Sequence, residues 1–570
     1  MAGIYRYIKP YLGYICFTLV IKTAASMAEL FIPYLMEHTL SMTEASKVYL
    51  YGALMILCAV MCMLLNILAN RMSAKSAGKI TLTIRHDLFN KLMHLSAKQM
   101  DALTVSSAES RLTSDTYNIN QMLARVQRMG VRAPILLIGG IAMMLFMDAG
   151  LSLVLIGLLP IIALLVYFVT KHSIPLYTKQ QSVLDRVVRT VQENITGVRV
   201  IKALSKTEHE RKRFNHVNDE LTAIDERAGT ITAITNPAST LILNLGLTVV
   251  VLFGAMRVRD GNTEATAIVA FLQYFTLILN AMLGVTRIFV MWSKAEASAQ
   301  RVVDVLELPE DLTLQSPNDK VAEDPPHIEF RNVSFSYTGH GNNISQLSFC
   351  LKHGQTLGIL GATGSGKSTI LNLLMRLYDP DEGQVLINGN DIRTIETSAL
   401  RSQFGVVFQN DFVAEGTIGH NIRFFRDITD EKLNIAAEHA QAAGIIAEKE
   451  SGMESAVTVR GNNLSGGQKQ RLLIARALAG SPEILVLDDA SSALDYRTDA
   501  LLRRALRENY RNTTTILVAQ RVSSLRHADL ILVLSEGKVI GSGKHDDLIR
   551  TCEEYRIIAQ TQMGAEEVVI

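Results

Sequence analysis

Six long apolar runs in the first half of the chain constrain its fold more than any other feature. They cover roughly Tyr11–Met36, Val48–Met72, Ala133–Met147, Leu151–Thr170, Pro237–Met256 and Ala267–Met291. Each is near the ~20 residues that a helix needs to cross a bilayer. Burial in a large soluble core is the competing explanation, but six runs with so few charges argue against it. Composition agrees, with 48% hydrophobic and only 19% charged residues over 570 positions. Of the 21 methionines, 18 precede Lys294, as does the single tryptophan, Trp292. The third and fourth runs are parted only by the turn Asp148-Ala149-Gly150.

Basic residues orient these spans. Lys75, Lys79, Arg85, Lys91, Lys98, Arg111, Arg125, Arg128 and Arg132 lie between the second and third runs. Lys171, Lys179, Arg186, Arg189, Arg199, Lys202, Arg211, Lys212 and Arg213 lie between the fourth and fifth. By the positive-inside rule both segments are expected in the cytoplasm, together with the N-terminus. The loop after the fifth run supports this less well, because it holds Arg257 and Arg259. The short charged N-terminus has no small-residue cleavage site after its apolar run, so the first span is expected to be a signal anchor. A net charge of +1 gives no reason to expect a nucleic-acid partner. The five cysteines are scattered, without the spacing of a zinc or redox pair.

The two basic segments are about 60 residues long and free of proline between their ends. Their apolar residues recur at helical spacing, as in Leu88, Leu92 and Leu95. Each is expected to be a pair of helices leaving the membrane and meeting at a distant tip. A 25-residue helix projects nearly ~40 Å.

Gln315–Pro326 is polar and ends in Pro-Pro, which marks a linker. The expected division is a transmembrane domain over 1–314, a linker over 315–326 and a second domain over 327–570. In the second domain β-rich runs alternate with helical patterns, which implies an α/β fold. Its strongest motif is Gly361-Ala-Thr363-Gly364-Ser365-Gly366-Lys367-Ser368-Thr369. It follows the apolar strand Thr356–Leu360 and opens a helical run, the context of a phosphate-binding loop. Glycines let backbone N–H groups turn toward a β-phosphate, Lys367 adds a charge, and Ser368 can hold Mg²⁺. Asp488 ends the strand Ile484–Leu487 and can orient the Mg²⁺ shell. Tyr337 is a candidate to stack on an adenine ring. ATP and Mg²⁺ are the cofactors these residues call for.

Leu464-Ser465-Gly466-Gly467-Gln468 resembles the signature motif of ATP-binding-cassette proteins. Gln409 is similar to their Q-loop glutamine, and Ser492-Ala-Leu-Asp495 to their D-loop. Ser110–Asp115 and Glu193–Lys202 look like the cytoplasmic loops of the exporter subfamily, the type IV or multidrug-exporter-like half-transporters. The resemblance covers nearly the whole chain. It implies a six-helix transmembrane domain with long cytoplasmic extensions, fused to a P-loop domain of RecA-like core plus helical subdomain. It also implies two cassettes stacked head to tail, each ATP lying between one phosphate loop and the other chain's signature. Ser465, Gly466, Gly467, Gln468 and Asp495 would then serve nucleotide held by the partner, and Gln409 would help hold the metal. The tips expected to carry motion to the spans lie near Ser110–Asp115 and around Leu221–Ile231.

Two catalytic positions depart from the family. After Asp488 the family has glutamate as general base, and here stands Asp489. Aspartate is one methylene shorter, so its oxygens retract by roughly 1.5 Å. Misplacing a base on that scale can cost ~10²-fold. The family's switch histidine is replaced by Gln520, which can donate a hydrogen bond but carries no charge. Val459 stands where the loop before the signature usually has glutamate. Paired losses in one site resemble heterodimeric exporters with one degenerate and one competent ATP site, and a second half-transporter subunit is the expected partner. A weakly hydrolysing homodimer, an ATP-gated channel or regulator, and an importer on the same scaffold stay open at this point. So does the cargo, which can be a drug, a peptide or a lipid. The expected location is a bacterial plasma membrane, as a multi-pass protein.

Lys22 and Glu29 lie seven residues apart in the first run and so share a helix face. A charged group in a span is costly, so this face is expected to line a cavity or meet a polar neighbour. Asn66, Asn244, Gln273 and Asn280 are candidates for the same path.

Overall fold

The computed structural model describes residues 2–261, 263–309, 311–316, 323–409 and 411–563. The expected linker, Gln315–Pro326, falls partly outside them. The chain forms two compact units. One comprises Met1–His94 and Val105–Leu308, the other Leu95–Thr104 and Pro309–Ile570.

The first unit is helical. Its long helices are Leu12–Ser41, Ala45–His94, Arg132–Met147, Ala149–Thr196, Thr207–Ala233, Thr235–Arg259 and Ala265–Leu306. Among the described residues, five helices are long and apolar enough to cross a membrane. The expected fourth span lies in Ala149–Thr196, whose apolar stretch, Ala149–Leu165, is shorter than these five. Leu30, Leu136, Met144, Phe271, Phe275 and Ile278 form a buried core between these helices. Glycine permits the close approach. A Cβ on Gly140 would stand 2.8 Å from Ile278 Cγ1, and one on Gly139 would stand 2.6 Å from Leu30 Cδ1. Asp148 caps the helix that follows it, accepting from the N–H groups of Gly150 (2.8 Å) and Leu151 (3.1 Å). Arg257 donates to the same carboxylate across 3.0 Å. Its charge is thereby paired.

The expected polar face in the first span resolves into two separate pairs. The Lys22 ammonium donates to Asn66 Oδ1 of the next helix and is 4% exposed. Glu29 is gripped by Arg132 through two bonds, of 2.6 and 3.1 Å. Both charges are therefore spent on joining helices. Asn244, Gln273 and Asn280 are exposed and take no part in either pair.

The expected tips are displaced. The helix Ala45–His94, about 75 Å long at ~1.5 Å per residue, ends well before Ser110. The chain turns at 95–104, where Ser96 and Gln99 form a capping box for the short helix Ala97–Leu103. Arg111–Asp115 is a single π-helical turn inside the returning stretch. In the second segment Leu221–Ile231 lies inside the helix Thr207–Ala233, and the reversal occurs around Gly197–Lys206. Ser110–Asp115 and Leu221–Ile231 are thus helix, and the turns are made by the cap at Ser96 and by the break at Gly197, which lies inside the motif Glu193–Lys202.

The second unit is built on a six-stranded sheet. Its order is Lys538–Gly543, Leu530–Ser535, Thr356–Gly361, Thr514–Val518, Ile484–Asp488 and Phe404–Val407. All neighbours are parallel except the hairpin that ends it. Ile484–Asp488 is buried at every position, as a strand covered on both faces must be. A four-stranded antiparallel sheet contains Ile344–Leu351, Ile328–Phe335, Glu382–Ile387 and Asn390–Asp391. Phe330, Phe349, Leu357, Ile370 and Leu374 belong to the core that joins both sheets and the helix Lys367–Leu374. A second core gathers the helices Ile418–Arg423, Asp430–His439 and Gly466–Ala479.

Candidate nucleotide site

Parallel strands deliver their following loops to one edge of the sheet, where α/β folds bind ligands. Four of the sequence-predicted groups arrive there this way. The phosphate loop follows Thr356–Gly361, Asp488 and Asp489 end or follow Ile484–Asp488, Gln409 follows Phe404–Val407, and Gln520 follows Thr514–Val518.

These groups surround a cavity of about 330 Å³. Tyr337, Thr363, Gly364, Gly366, Lys367, Ser368, Thr369, Gln409, Asp488, Asp489 and Gln520 all line it. Gly366 has φ of +101°, and a Cβ there would stand 2.6 Å from Ile344 Cδ1 and 2.8 Å from the Asn343 carbonyl. Only glycine fits. Gly364, with φ of +84°, has open space where a Cβ would stand. The first N–H groups of the helix Lys367–Leu374 lack intrahelical acceptors, which makes its start a place for an anion. Lys367 Nζ donates to the carbonyls of Gly361 (2.8 Å) and Ala362 (2.7 Å), so its charge is held against the loop. Burial pushes the Lys367 ammonium down from its ordinary value, and Asp488 and Asp489 oppose that.

Ser368 Oγ donates to Asp488 Oδ2 across 3.2 Å. A hydroxyl and a carboxylate at that spacing, with Gln409 on the same cavity, are the hard oxygen donors that suit Mg²⁺. Asp488 is 5% exposed, and burial pushes its carboxyl up despite Ser368 and Lys367. Asp489 is pushed up by burial too, against the charges of Lys367 and Arg521 and the Gln520 amide. Gln520 Nε2 donates to Asp489 Oδ2 across 3.2 Å. The Asp489 carbonyl accepts from Gln470 Nε2 at 3.1 Å, and its N–H donates to the Val518 carbonyl at 2.9 Å.

Tyr337 is 38% exposed, so part of its ring reaches the cavity. Its N–H donates to Asn343 Oδ1 across 3.0 Å. Sequence reasoning missed Asn343, which also lines the cavity; its one signal is its place just before the strand Ile344–Leu351. Gly361 and Ser365 do not line the cavity but support the loop from behind, with the Ser365 hydroxyl buried.

The signature residues lie elsewhere on the unit. Ser465 and Gln468 form a reciprocal capping box, with bonds of 3.0 and 3.3 Å, at the start of the helix Gly466–Ala479. Ser465 and Gly466 are exposed. Asp495 caps the helix Tyr496–Asn509 through the Thr498 N–H (2.9 Å) and hydroxyl (2.8 Å). None of these four, nor Gly467, lines the cavity made by this chain's own phosphate loop.

Residues 12–282 match the family described as the ABC transporter transmembrane region, and residues 344–492 match the family described as ABC transporter. An uncharacterized ABC transporter ATP-binding protein of Mycobacterium tuberculosis is 31% identical over 99% of this chain and 98% of its own. YfiB of Bacillus subtilis, another uncharacterized protein of that description, is 32% identical over 98% of both chains. A protein of Mycobacterium bovis described as a fatty acid ABC transporter ATP-binding/permease protein is 31% identical over 90% of this chain and 79% of its own. The fold is similar to a bacterial Atm1-family ABC exporter with ATP bound, with a TM-score of 0.80 over 98% of both chains at 24% identity.

Proposed function

The chain belongs to the ABC transporter family, and we propose that it is half of an ATP-driven exporter whose own phosphate loop builds a degenerate ATP site. The observation that carries this reading is Asp489 held by Gln520 inside an otherwise complete phosphate cavity. A base that is one methylene short and a switch position without charge both slow the chemical step. Neither change touches Lys367, Ser368 or Asp488, so binding is kept where hydrolysis is weakened.

In this reading the loop N–H groups and Lys367 bind the triphosphate, and Tyr337 stacks on the base. Ser368, Gln409 and Asp488 would hold Mg²⁺, which supplies charge neutralisation at the phosphates. Asp489 orients water from a retracted position. Ser465, Gly466, Gly467, Gln468 and Asp495 face nucleotide held by a second half-transporter, which brings the competent base. The exposure of Ser465 and Gly466 supports this. The stretch Ala149–Leu165 completes six crossings. The domain limits are 1–314 and 327–570 with the linker between, and the sheet-bearing core and helical cluster are RecA-like core and helical subdomain. The N-terminus and cassette lie in the cytoplasm of a bacterial cell. The cargo is a drug, a peptide or a lipid-like molecule, and the fatty acid named for one relative favours the last class.

The test is steady-state ATPase of the chain purified alone and with a partner half-transporter carrying glutamate and histidine at these positions. Very low activity alone and restored activity in the complex are expected. Robust turnover by the single chain would favour a working homodimer instead.

A further inference from the structure

Three aromatic rings stand edge to face beside the nucleotide cavity. The Tyr337 centroid is 4.9 Å from that of Phe335 at 87° and 5.0 Å from that of Tyr378 at 88°. Asn372 Nδ2 donates to the Tyr337 hydroxyl across 3.0 Å, which pins the ring at its far end. Edge-to-face contact is a favoured geometry, so Tyr378 fixes the plane that Tyr337 offers to the cavity. Tyr378 is itself 8% exposed, and its hydroxyl donates to Asp101 Oδ2.

Asp101 lies in the turn 95–104, which folds with the cassette unit. That turn has other attachments among the described residues. Ser96 Oγ donates to Asp311 Oδ2 across 2.6 Å, Gln99 Nε2 donates to the Pro309 carbonyl across 2.6 Å, and Ala97 packs on the cassette core. Among these four, the Asp101–Tyr378 bond leads directly to a cavity-lining ring. Burial and the neighbouring carboxylate push the Tyr378 hydroxyl up, so it keeps its proton and remains a donor at neutral pH.

We propose that Tyr378 is a positioning residue for the adenine-stacking face of Tyr337, and that Asp101 makes that face and the docking of turn 95–104 one coupled unit. The proposal rests on the reading of Tyr337 as the adenine seat. If one residue serves both events, each must strengthen the other by the same factor. A nucleotide with its base then holds the turn more firmly than a bare triphosphate does. The turn follows directly on the C-terminal end of the helix Ala45–His94.

The experiment is hydrogen exchange of peptides covering 95–104 in the full chain, with saturating Mg-ATP, saturating Mg-tripolyphosphate or neither. In the unaltered chain, ATP should slow exchange of the turn about threefold to tenfold more than tripolyphosphate, the range of one net hydrogen bond. Tyr378→Phe keeps the ring and loses the hydroxyl, and should abolish that excess. Asp101→Ala should do the same, whereas Asp101→Asn keeps an acceptor and should retain most of it. Unchanged exchange in the strands Thr356–Gly361 and Ile484–Asp488 establishes that each variant is folded. An excess that survives both Tyr378→Phe and Asp101→Ala overturns the coupling, as does equal protection by tripolyphosphate in the unaltered chain. Tyr337→Ala tests the seat separately through ATP affinity. If it leaves affinity unchanged the seat reading fails, and if it weakens affinity while the Tyr378→Phe excess persists, only the coupling fails.

Discussion

The side-chain amide of Gln520 donates a hydrogen bond to Asp489 Oδ2 across 3.2 Å, joining the two catalytic positions read from the sequence as departures from the family pattern. The departures are therefore one local arrangement rather than two scattered changes. The bond takes one acceptor site on the carboxylate that would orient water, and one of the two amide N–H donors of Gln520. Glutamine has no proton to gain, so neither pH nor nucleotide can turn it into a cation. Behind this pair Gln470 holds the Asp489 carbonyl and accepts from the Ala493 N–H at 3.0 Å. The backbone of the site is thereby braced on both sides of Ser491 and Ser492 by one side chain.

If the site is degenerate as proposed, restoring both positions should restore chemistry. Asp489→Glu returns the missing methylene, and Gln520→His returns a group that can carry charge. Each alone should change ATPase activity only modestly, because the other defect persists. Together they should raise the activity of the chain purified alone by at least about tenfold, a fraction of the ~10²-fold that misplacement of a base can cost. A double variant no faster than the parent would mean that some other feature silences the site.

Binding at this site should depend on Lys367. Its ammonium already satisfies the loop carbonyls of Gly361 and Ala362, so it is placed before any phosphate arrives. Lys367→Ala removes a charged donor and should weaken Mg-ATP binding about 10- to 100-fold, matching the 1.5–3 kcal/mol of a hydrogen bond to a charged group. Lys367→Met keeps an apolar stem of similar length and should behave alike. Calorimetric titration of the chain purified alone reads the change, and unaltered affinity in both variants would contradict the phosphate-site assignment.

The cassette should also carry an acid-sensitive histidine far from its chemistry. His327 is 1% exposed, its Nδ1 lies 2.6 Å from Thr514 Oγ1, and its ring stacks on His353 at 3.7 Å. Burial, with some help from His353, pushes it down to about 4. A depressed histidine contributes stability that is present above its unfolded value of ~6.5 and is lost as pH falls toward 4. A fall from 6.5 to about 4 is worth roughly 3 kcal/mol. Exchange protection of Thr514–Val518 should therefore decline across that window, and His327→Asn should flatten the decline. An equally steep decline in the variant would place the sensitivity elsewhere.

The sequence is most legible where backbone chemistry dictates the residue. The phosphate loop needs glycine at 366 because φ is +101° and Ile344 leaves no room for a Cβ. Pattern marks the loop and Asp488, the family resemblance adds Gln520, and the fold brings all three to one cavity. The tips lie elsewhere than expected because Ser110–Asp115 and Leu221–Ile231 both continue as helix. The real signals were local and quiet: Ser96 with Gln99 as a capping box, and Gly197 ending a 48-residue helix. The shared face of Lys22 and Glu29 was legible from their spacing, but their partners were not. Asn66 and Arg132 lie 44 and 103 residues away, and only packing brings them near. Asn343 was missed for the same reason, since its role arises from the loop folding over Gly366.

The two halves of this chain's catalytic role should separate under mutation. Asp489→Asn removes a carboxylate from the site proposed to be slow, so ATPase of a complex with a competent partner should change only modestly. Gly467→Asp should be far more damaging. Gly467 follows the exposed start of the helix Gly466–Ala479, and in the proposed assembly it faces nucleotide held by the partner. A carboxylate there meets the γ-phosphate with like charge and disturbs donors that stabilise charge in the transition state, an effect worth about 3 kcal/mol or more in related anion holes. A Cβ at Gly467 would also stand 3.0 Å from the Ala493 carbonyl, so crowding must be separated from charge. Gly467→Ala supplies the Cβ without the charge and should cost less than Gly467→Asp. The order expected in co-purified complexes is parent close to Asp489→Asn, then Gly467→Ala, then Gly467→Asp. In a symmetric homodimer both Asp489→Asn and Gly467→Asp would cripple turnover equally. If Asp489→Asn abolishes activity as thoroughly as Gly467→Asp, then Asp489 is a working base and its bond to Gln520 does not silence it.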